Sequence, residues 1–312
     1  MSTSQHDHGS RMDPPRVQEV ADGAYAYIQP DGSWWINNTG FLVGPEGVIA
    51  IDACATEART RTFQDTIAKQ TGAPVRTLIN THHHGDHTYG NYLFESATIV
   101  GHENARTAIL NLGIMEVDAY WPGVGWGGIR PVPPFLTFTD GITVHSGELR
   151  AQVKHFGPAH TSNDSVVWLE EQGVLYSGDL IFNGGMPFLL MGSPAGYLDV
   201  LHRIKELGAT TIVPGHGEVC GPEQIDFAIG YAEFLLETAR KGLEAGLDPL
   251  TVARETDLGE YAELSDSERI VGNLHRAYAE LKGTERAAPI DIYAALDDMI
   301  TFNGGKPLTC YA

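Results

Sequence analysis

Short apolar runs broken by Gly, Pro and Asp fill the first half of the chain. "AYAYI" (24–28), "NTGFLV" (38–43) and "VIAIDA" (48–53) predict β-strands. "TEARTRTFQDTIAKQ" (56–70) predicts a helix, with Phe63 and Ile67 one turn apart. "VRTLIN" (75–80) and "ATIVGH" (97–102) predict two more strands, the second leading into a short helix near 103–110. The second half repeats the theme. Strands are predicted at 136–138, 142–145, 150–156, 165–169 and 174–182, then a helix near 196–207 and a strand at 210–213.

After "PGHG" the period becomes helical. Pro222 fits a first helical position, ahead of an apolar stripe of Phe227, Tyr231, Phe234 and Leu235. Asp248-Pro249 starts another helix. Ser265 and Glu268 have capping-box spacing ahead of Ile270, Val271, Leu274, Tyr278 and Leu281. Pro289 opens a last helix to about Ile300. The whole predicts an α/β protein of sheets sandwiched by helices, with a core over 16–220 and a helical C-terminal extension over 221–312. Residues 1–15 are polar, lack a signal-peptide core and read as a loose tail or expression remnant, with His6 and His8 solvated.

Residues 111–136 break the pattern. They are rich in Gly, Pro and aromatics and have no steady period. Two readings fit: a satellite hydrophobic cluster, or a flap over a pocket.

Composition narrows the function. The formal net charge of −20 repels polyanions, so nucleic acid is not an expected partner. No apolar run approaches the roughly 18 residues that span a bilayer. Three cysteines, Cys54, Cys220 and Cys310, do not make a disulfide framework and suggest a reducing, cytoplasmic setting. Cys54 reads as a buried small hydrophobe, and Cys220 lies four residues beyond His216.

One stretch has no packing explanation: "LINTHHHGDHTYGN", residues 78–91. His82, His84, Asp86 and His87 sit just past a predicted strand. In extended chain, residues i and i+2 point the same way, so His82 and His84 can reach one ion. Gly85 lets the backbone turn, so Asp86 and His87 can face a second. His83 points away and is expected to make a supporting hydrogen bond. Imidazole and carboxylate suit zinc, and also iron or manganese. One cluster cannot fill two coordination spheres. Three more groups follow apolar strands beside glycine: His160 in "KHFGPAHTSND", Asp179 in "VLYSGDLIF" and His216 in "TTIVPGHGEV". Strand ends are where layered α/β folds place their sites. Of the other histidines, His102 is the one expected to line a pocket.

"HHHGDH", "GPAHTSND", "SGD" and "PGHG" resemble, in order, the motifs of metallo-β-lactamase-fold hydrolases. The resemblance implies an αββα four-layer sandwich holding two zinc ions. His82, His84 and His160 would hold one ion, Asp86, His87 and His216 the other, with Asp179 bridging. Asp179 stands where β-lactamases of this fold usually carry Cys or Ser, and His84 where flavodiiron relatives carry Glu. Both activities are therefore disfavoured. Ions held there would lower the pKa of a shared water, making Asp86 and Asp179 catalytic partners.

"GSWWINNTGFLVG", "YWPGVGWGGIRPVPPFLTF", "GGMPFLLMGS" and "FNGGKPLTCYA" are similar to aromatic polyketide second-ring cyclases of the actinorhodin-pathway type. That implies a small-molecule polyketide substrate, free or tethered to a carrier or coenzyme A, and aldol-type ring closure with possible thioester hydrolysis. Trp34, Trp35, Tyr120, Trp121, Trp126, Phe188 and Met191 would bind it by stacking. A homo-oligomer is compatible with these features. The alternatives are a glyoxalase II-like thioesterase, a lactonase, or a metal-free binding protein retaining the fold.

Overall fold

The computed structural model describes residues 13–312. The expected state of His6 and His8, and most of the expected tail, lies outside the described residues. Two sheets form the centre. The first has seven strands in sequence order: β1 (Arg16–Ala21), β2 (Ala24–Ile28), β3 (Thr39–Gly44), β4 (Gly47–Ile51), β5 (Val75–Ile79), β6 (Thr98–His102) and β7 (Leu136–Phe138). Pairing is antiparallel from β1 to β4 and parallel from β4 to β7. The second sheet has five strands, β8 (Gly141–Ser146), β9 (Leu149–His155), β10 (Ser165–Leu169), β11 (Val174–Asn183) and β12 (Thr211–Gly217). Only β11 and β12 pair in parallel there.

Three apolar layers explain the stacking. Between the sheets, Ile28, Leu42, Ile51 and Ile79 of the first meet Val153, Val167, Tyr176 and Val213 of the second. On the outer face of the first sheet, Phe63 and Ile67 of α1 (Glu57–Gln70) cover Phe41, Ala50 and Leu78. Thr56 caps that helix by accepting from the Arg59 amide. On the outer face of the second sheet, α4 (Pro194–Lys205) and α5 (Glu223–Glu244) bury Tyr197, Leu201, Tyr231 and Leu235. The result is the expected αββα arrangement: helix, sheet, sheet, helix. Two further helices of the first half, α2 (Gly85–Thr88) and α3 (Glu103–Leu112), follow β5 and β6. Beyond α5 come α6 (Pro249–Glu255), α7 (Arg269–Leu281) and α8 (Ile292–Phe302). Among the described residues, no helix is long and apolar enough to cross a membrane.

Several boundaries differ from the sequence reading. Strand β1 was not expected, because "RVQEVA" is half exposed, has no fully buried residue and carries little apolar signal. The Ser265–Glu268 capping box does not form. Ser265 instead donates its amide to Gly184 and accepts from Met186, and α7 begins only at Arg269. The last helix starts at Ile292, where Asp291 supplies the cap, rather than at Pro289. Pro222 stands one position before α5.

Candidate metal centre

The four residues of the early cluster leave the end of β5 together. The chain then bends at Gly85 into the single turn of α2, which carries Asp86 and His87. From the other sheet, Asp179 projects within β11, His216 near the end of β12, and His160 between β9 and β10. The sheets thus bring all seven groups to one edge. Their donor atoms fall into two sets, His82, His84, His160 and Asp179, and Asp86, His87, Asp179 and His216. Within each set the atoms lie no more than 4.8 Å apart. Asp179 belongs to both. Its Oδ2 lies 3.3 Å from His160 Nε2 and 3.4 Å from His216 Nε2, and its Oδ1 3.0 Å from His87 Nε2.

These approaches are not hydrogen bonds in the ordinary sense. His82 Nε2, His87 Nε2 and Asp179 Oδ1 are buried and have no hydrogen-bonding partner. Orphaned buried polar atoms are costly, and these converge. Each imidazole's other nitrogen is already spent. Nδ1 of His82 faces Thr81 Oγ1 at 3.0 Å, that of His87 faces Asp52 Oδ2 at 2.8 Å, and that of His216 faces the Gly32 carbonyl at 3.0 Å. His160 Nδ1 donates to the Phe188 carbonyl. Those bonds place a proton on Nδ1 and leave the Nε2 lone pair facing the centre. His84 is reversed: its Nδ1 lies 2.8 Å from His160 Nε2. A donor set of five imidazoles and two carboxylates, with converging unpartnered atoms, fits a pair of divalent cations.

Charge in the metal-free protein tells the same story. Burial pushes His82 and His84 well below the ordinary imidazole pKa, and neighbouring imidazoles add to the effect. Burial also opposes charge on His87, but the carboxylates of Asp179, Asp52 and Asp86 outweigh it and raise its pKa well above the usual value. His216 is likewise raised, to about 9, by Asp179 and Asp86 against the effect of burial. Burial would raise Asp179, yet His87, His216 and His160 hold it well below the carboxylate range. The site demands positive charge, and protons supply it when ions do not.

Two glycines make the close approach possible. A Cβ on Gly215 would collide with Asp179 Oδ1, and one on Gly178, at φ +50°, would press on Thr81. Gly is therefore required where β11 and β12 converge behind the bridging carboxylate.

A cavity opens over these ligands. Its walls include Trp34, Trp35, Trp121, Phe188 and Met191, together with Leu190 and Leu296. Two residues expected on this wall are placed elsewhere. Tyr120 packs into the core, with its hydroxyl donating to Asp297. Trp126 packs edge-on against Trp35 and donates to Asp118, so it braces the wall from behind. Segment 111–136 satisfies both readings at once. Met115, Val117 and Trp121 face the cavity, while Val117, Tyr120 and Trp121 also join the core.

His83 accepts from the Asn163 side chain through Nδ1, as a supporting bond, and also lines the cavity with an unpartnered Nε2. His102 does not line it. Its Nδ1 caps α3 and its Nε2 meets the Thr139 carbonyl. Cys54 is fully buried. Cys220 is half-buried with its thiol pushed up to about 12 by burial, so it is not a reactive group.

The sequence reading missed Asp52, Arg269 and the cavity-facing side of α8. Asp52 closes an apolar strand at φ +61°, a signal visible only as an acid at a strand end. Arg269 lines the cavity but sits in the apolar run "RIVGNL". No periodicity announces it.

The profile of the metallo-beta-lactamase superfamily matches residues 32–216, and the chain belongs to that superfamily. It is 30% identical over 169 residues to a hydroxyacylglutathione hydrolase of Rhodospirillum rubrum, covering 53% of this chain and 55% of that protein. It is 24% identical over 234 residues to a metallo-beta-lactamase type 2 of Bacteroides fragilis, covering 72% and 88%. The human acyl-coenzyme A thioesterase MBLAC2 is 25% identical over 182 residues, covering 52% and 64%. The match spans about half the length of the hydroxyacylglutathione hydrolases. Among solved structures, a metallo-beta-lactamase from Pontibacter korlensis superposes with a TM-score of 0.59 at 18% identity, over 70% of this chain and 99% of that one.

Proposed function

We propose that the protein is a dinuclear zinc enzyme that closes a ring on an aromatic polyketide intermediate by aldol-type condensation and dehydration. The observation that carries this reading is the cavity. Indole, phenyl, thioether and aliphatic walls lead directly to the clustered ligands, which suits a flat apolar substrate presenting carbonyls to metal. Iron or manganese would suit the same nitrogen and oxygen donors.

Bound ions would supply Lewis acidity and an activated water, the means both of enolising a β-keto unit and of hydrolysing an ester or thioester. The chain's own residues do the rest. Asp179 holds its carboxylate between the two donor sets, and Asp86 stands beside His216 with Oδ2 at 3.3 Å from Nε2. Trp34, Trp35 and Trp121 offer indole surface against which a flat substrate would pack, keeping water from the reacting carbons. His83 Nε2, buried and unpartnered at the wall, is placed to hydrogen-bond a substrate oxygen.

A second reading, thioester hydrolysis, draws support from the named hydrolase and thioesterase relatives. The cavity gives it less. A glutathione or coenzyme A moiety is anionic, and among the described residues Arg269 is the single Lys or Arg lining the cavity. The overall charge of −20 also disfavours docking of an acidic carrier, so a freely diffusing intermediate is the better substrate form.

Incubating zinc-loaded protein with a monocyclic polyketide intermediate should give a product with one more closed ring. His84→Ala and Asp179→Ala should each abolish it. The same product from both variants, or rapid turnover of S-lactoylglutathione with no effect on the polyketide, would overturn the reading.

A further inference from the structure

We infer that Arg269 anchors a second, anionic oxygen of the substrate, distinct from the oxygen presented to the metal ligands. This deepens the reading above and rests on it only in that the ligand enters the same cavity.

Arg269 is 1% exposed, yet it lines the cavity. Its guanidinium lies over aromatic rings, with Cζ 4.1 Å from the Trp34 ring centroid and 5.3 Å from that of Phe182. Two of its nitrogens are engaged. Nη1 donates to the Met186 carbonyl at 2.8 Å, and Nη2 lies 2.8 Å from Asp266 Oδ2. The second contact is close but poorly aligned, since Asp266 Oδ2 has no hydrogen-bond partner. Nε is buried and has none at all. A buried arginine with an unspent donor is uncommon, because the desolvation cost is recovered only when its hydrogens find acceptors.

The surroundings point to an acceptor-bearing ligand. Trp35 Nε1, Trp121 Nε1, His83 Nε2 and His84 Nε2 are also buried, unpartnered and on cavity-lining residues. Apart from Asp179 and His84, which belong to the metal-ligand set, the unsatisfied atoms on this wall are N–H donors: both indoles, Arg269 Nε, and His83 Nε2, whose Nδ1 already accepts from Asn163. A ligand that completes them must bring oxygen acceptors on an otherwise apolar frame.

Position separates this anchor from the metal ligands. The Phe182 ring stacks on His216 with centroids 5.1 Å apart and planes 9° apart. Arg269 thus stands on a residue that itself packs on a metal ligand. An oxygen held by Arg269 and one held at the ligands therefore belong to different parts of one molecule. A carboxylate, enolate or phenolate would serve, since each offers charge-assisted acceptance to a guanidinium. Arg269 is a positioning residue: it fixes which carbonyl reaches the ions.

The test compares naphthalene-2,6-dicarboxylate with its monomethyl ester on zinc-loaded protein, by calorimetry. Both probes offer one carboxylate to the ions, and only the first offers another. The wild type should prefer the dicarboxylate, and Arg269→Gln should cut that preference about tenfold at unchanged zinc content. An equal preference in wild type and Arg269→Gln would overturn the proposal. Should Arg269→Gln not fold, Asp266→Asn decides. It keeps the guanidinium and replaces a competing carboxylate by a neutral amide, so preference should rise, and no rise would overturn the anchor. Binding needs no turnover. A protein that prefers the dicarboxylate but leaves polyketides unchanged refutes the cyclase reading and keeps the anchor.

Discussion

Asp52 Oδ2 lies 2.8 Å from His87 Nδ1, and the same oxygen accepts at 2.7 Å from the Thr81 hydroxyl, which meets His82 Nδ1. One buried carboxylate therefore orients a ligand in each of the two sets. Asp52→Ala should lower metal affinity about 10- to 100-fold, read by competition with a chromogenic chelator. Both ions should be weakened. Loss of one with the other untouched would contradict this shared role.

Removing the bridge should be more severe. Asp179→Ala leaves both donor sets one group short. The expected result is less than one equivalent of zinc after gentle dialysis, against two for the wild type. Metal should also stop raising the melting temperature, because ligand binding stabilises only where the native site exists. Chelation of the wild type should lower its melting temperature to the level of this variant.

Gly215→Ala tests the backbone behind the bridge. Its new Cβ would meet Asp179 Oδ1, with Gly178 backbone close beside it. The carboxylate must move. Zinc stoichiometry should fall while circular dichroism stays native, and full loading of a folded variant would show that the strands can yield there.

Glu57 fastens the flap. Its carboxylate accepts from the Gly128 amide at 2.7 Å, and its own amide donates to the Trp126 carbonyl at 3.0 Å. The Gly128 amide, then Arg61 and Tyr92, hold its pKa down to about 2. Glu57→Ala should free the segment near 125–130 and speed limited proteolysis there several-fold, with little change in melting temperature. Equal cleavage rates would mean that Trp126 packing alone holds the segment.

Asp266 gives a pH signature. Burial raises its carboxyl to about 6, while Arg269 pulls the other way. The native state thus holds this proton more tightly than the unfolded chain. The group costs nothing below about pH 4; the penalty builds as pH rises from about 4 to about 6 and levels off above that at about 3 kcal/mol. Urea midpoints of metal-free wild type and Asp266→Asn should therefore diverge between about pH 4 and 6, with the variant gaining relative to wild type as pH rises and the difference constant above about 7. A pH-independent difference would refute the shift.

The fold was legible where burial imposes a period. Strands such as "AYAYI" and "SVVWL", buried along most or all of their length, announce themselves as apolar runs. The edge strand β1 does not, since half of it is exposed and none of it fully buried. The histidine cluster was legible because no packing role explains it. Tyr120 and Trp126 misled because an aromatic ring carries the same letter whether it faces a cavity or the core behind it. Asp52 and Arg269 were invisible because what matters is their distance in space from residues 35 and 235 positions away, His87 and Trp34.

The seven donors are divided between the two halves of the sandwich: four follow β5, and three come from the five-stranded sheet. Bound cations would then act as rivets through the slab. Any slippage of one sheet over the other would scatter the donors long before either sheet frayed. Inactivation on heating should accordingly track metal release, and a refolding chain should acquire its ions only after the halves have docked.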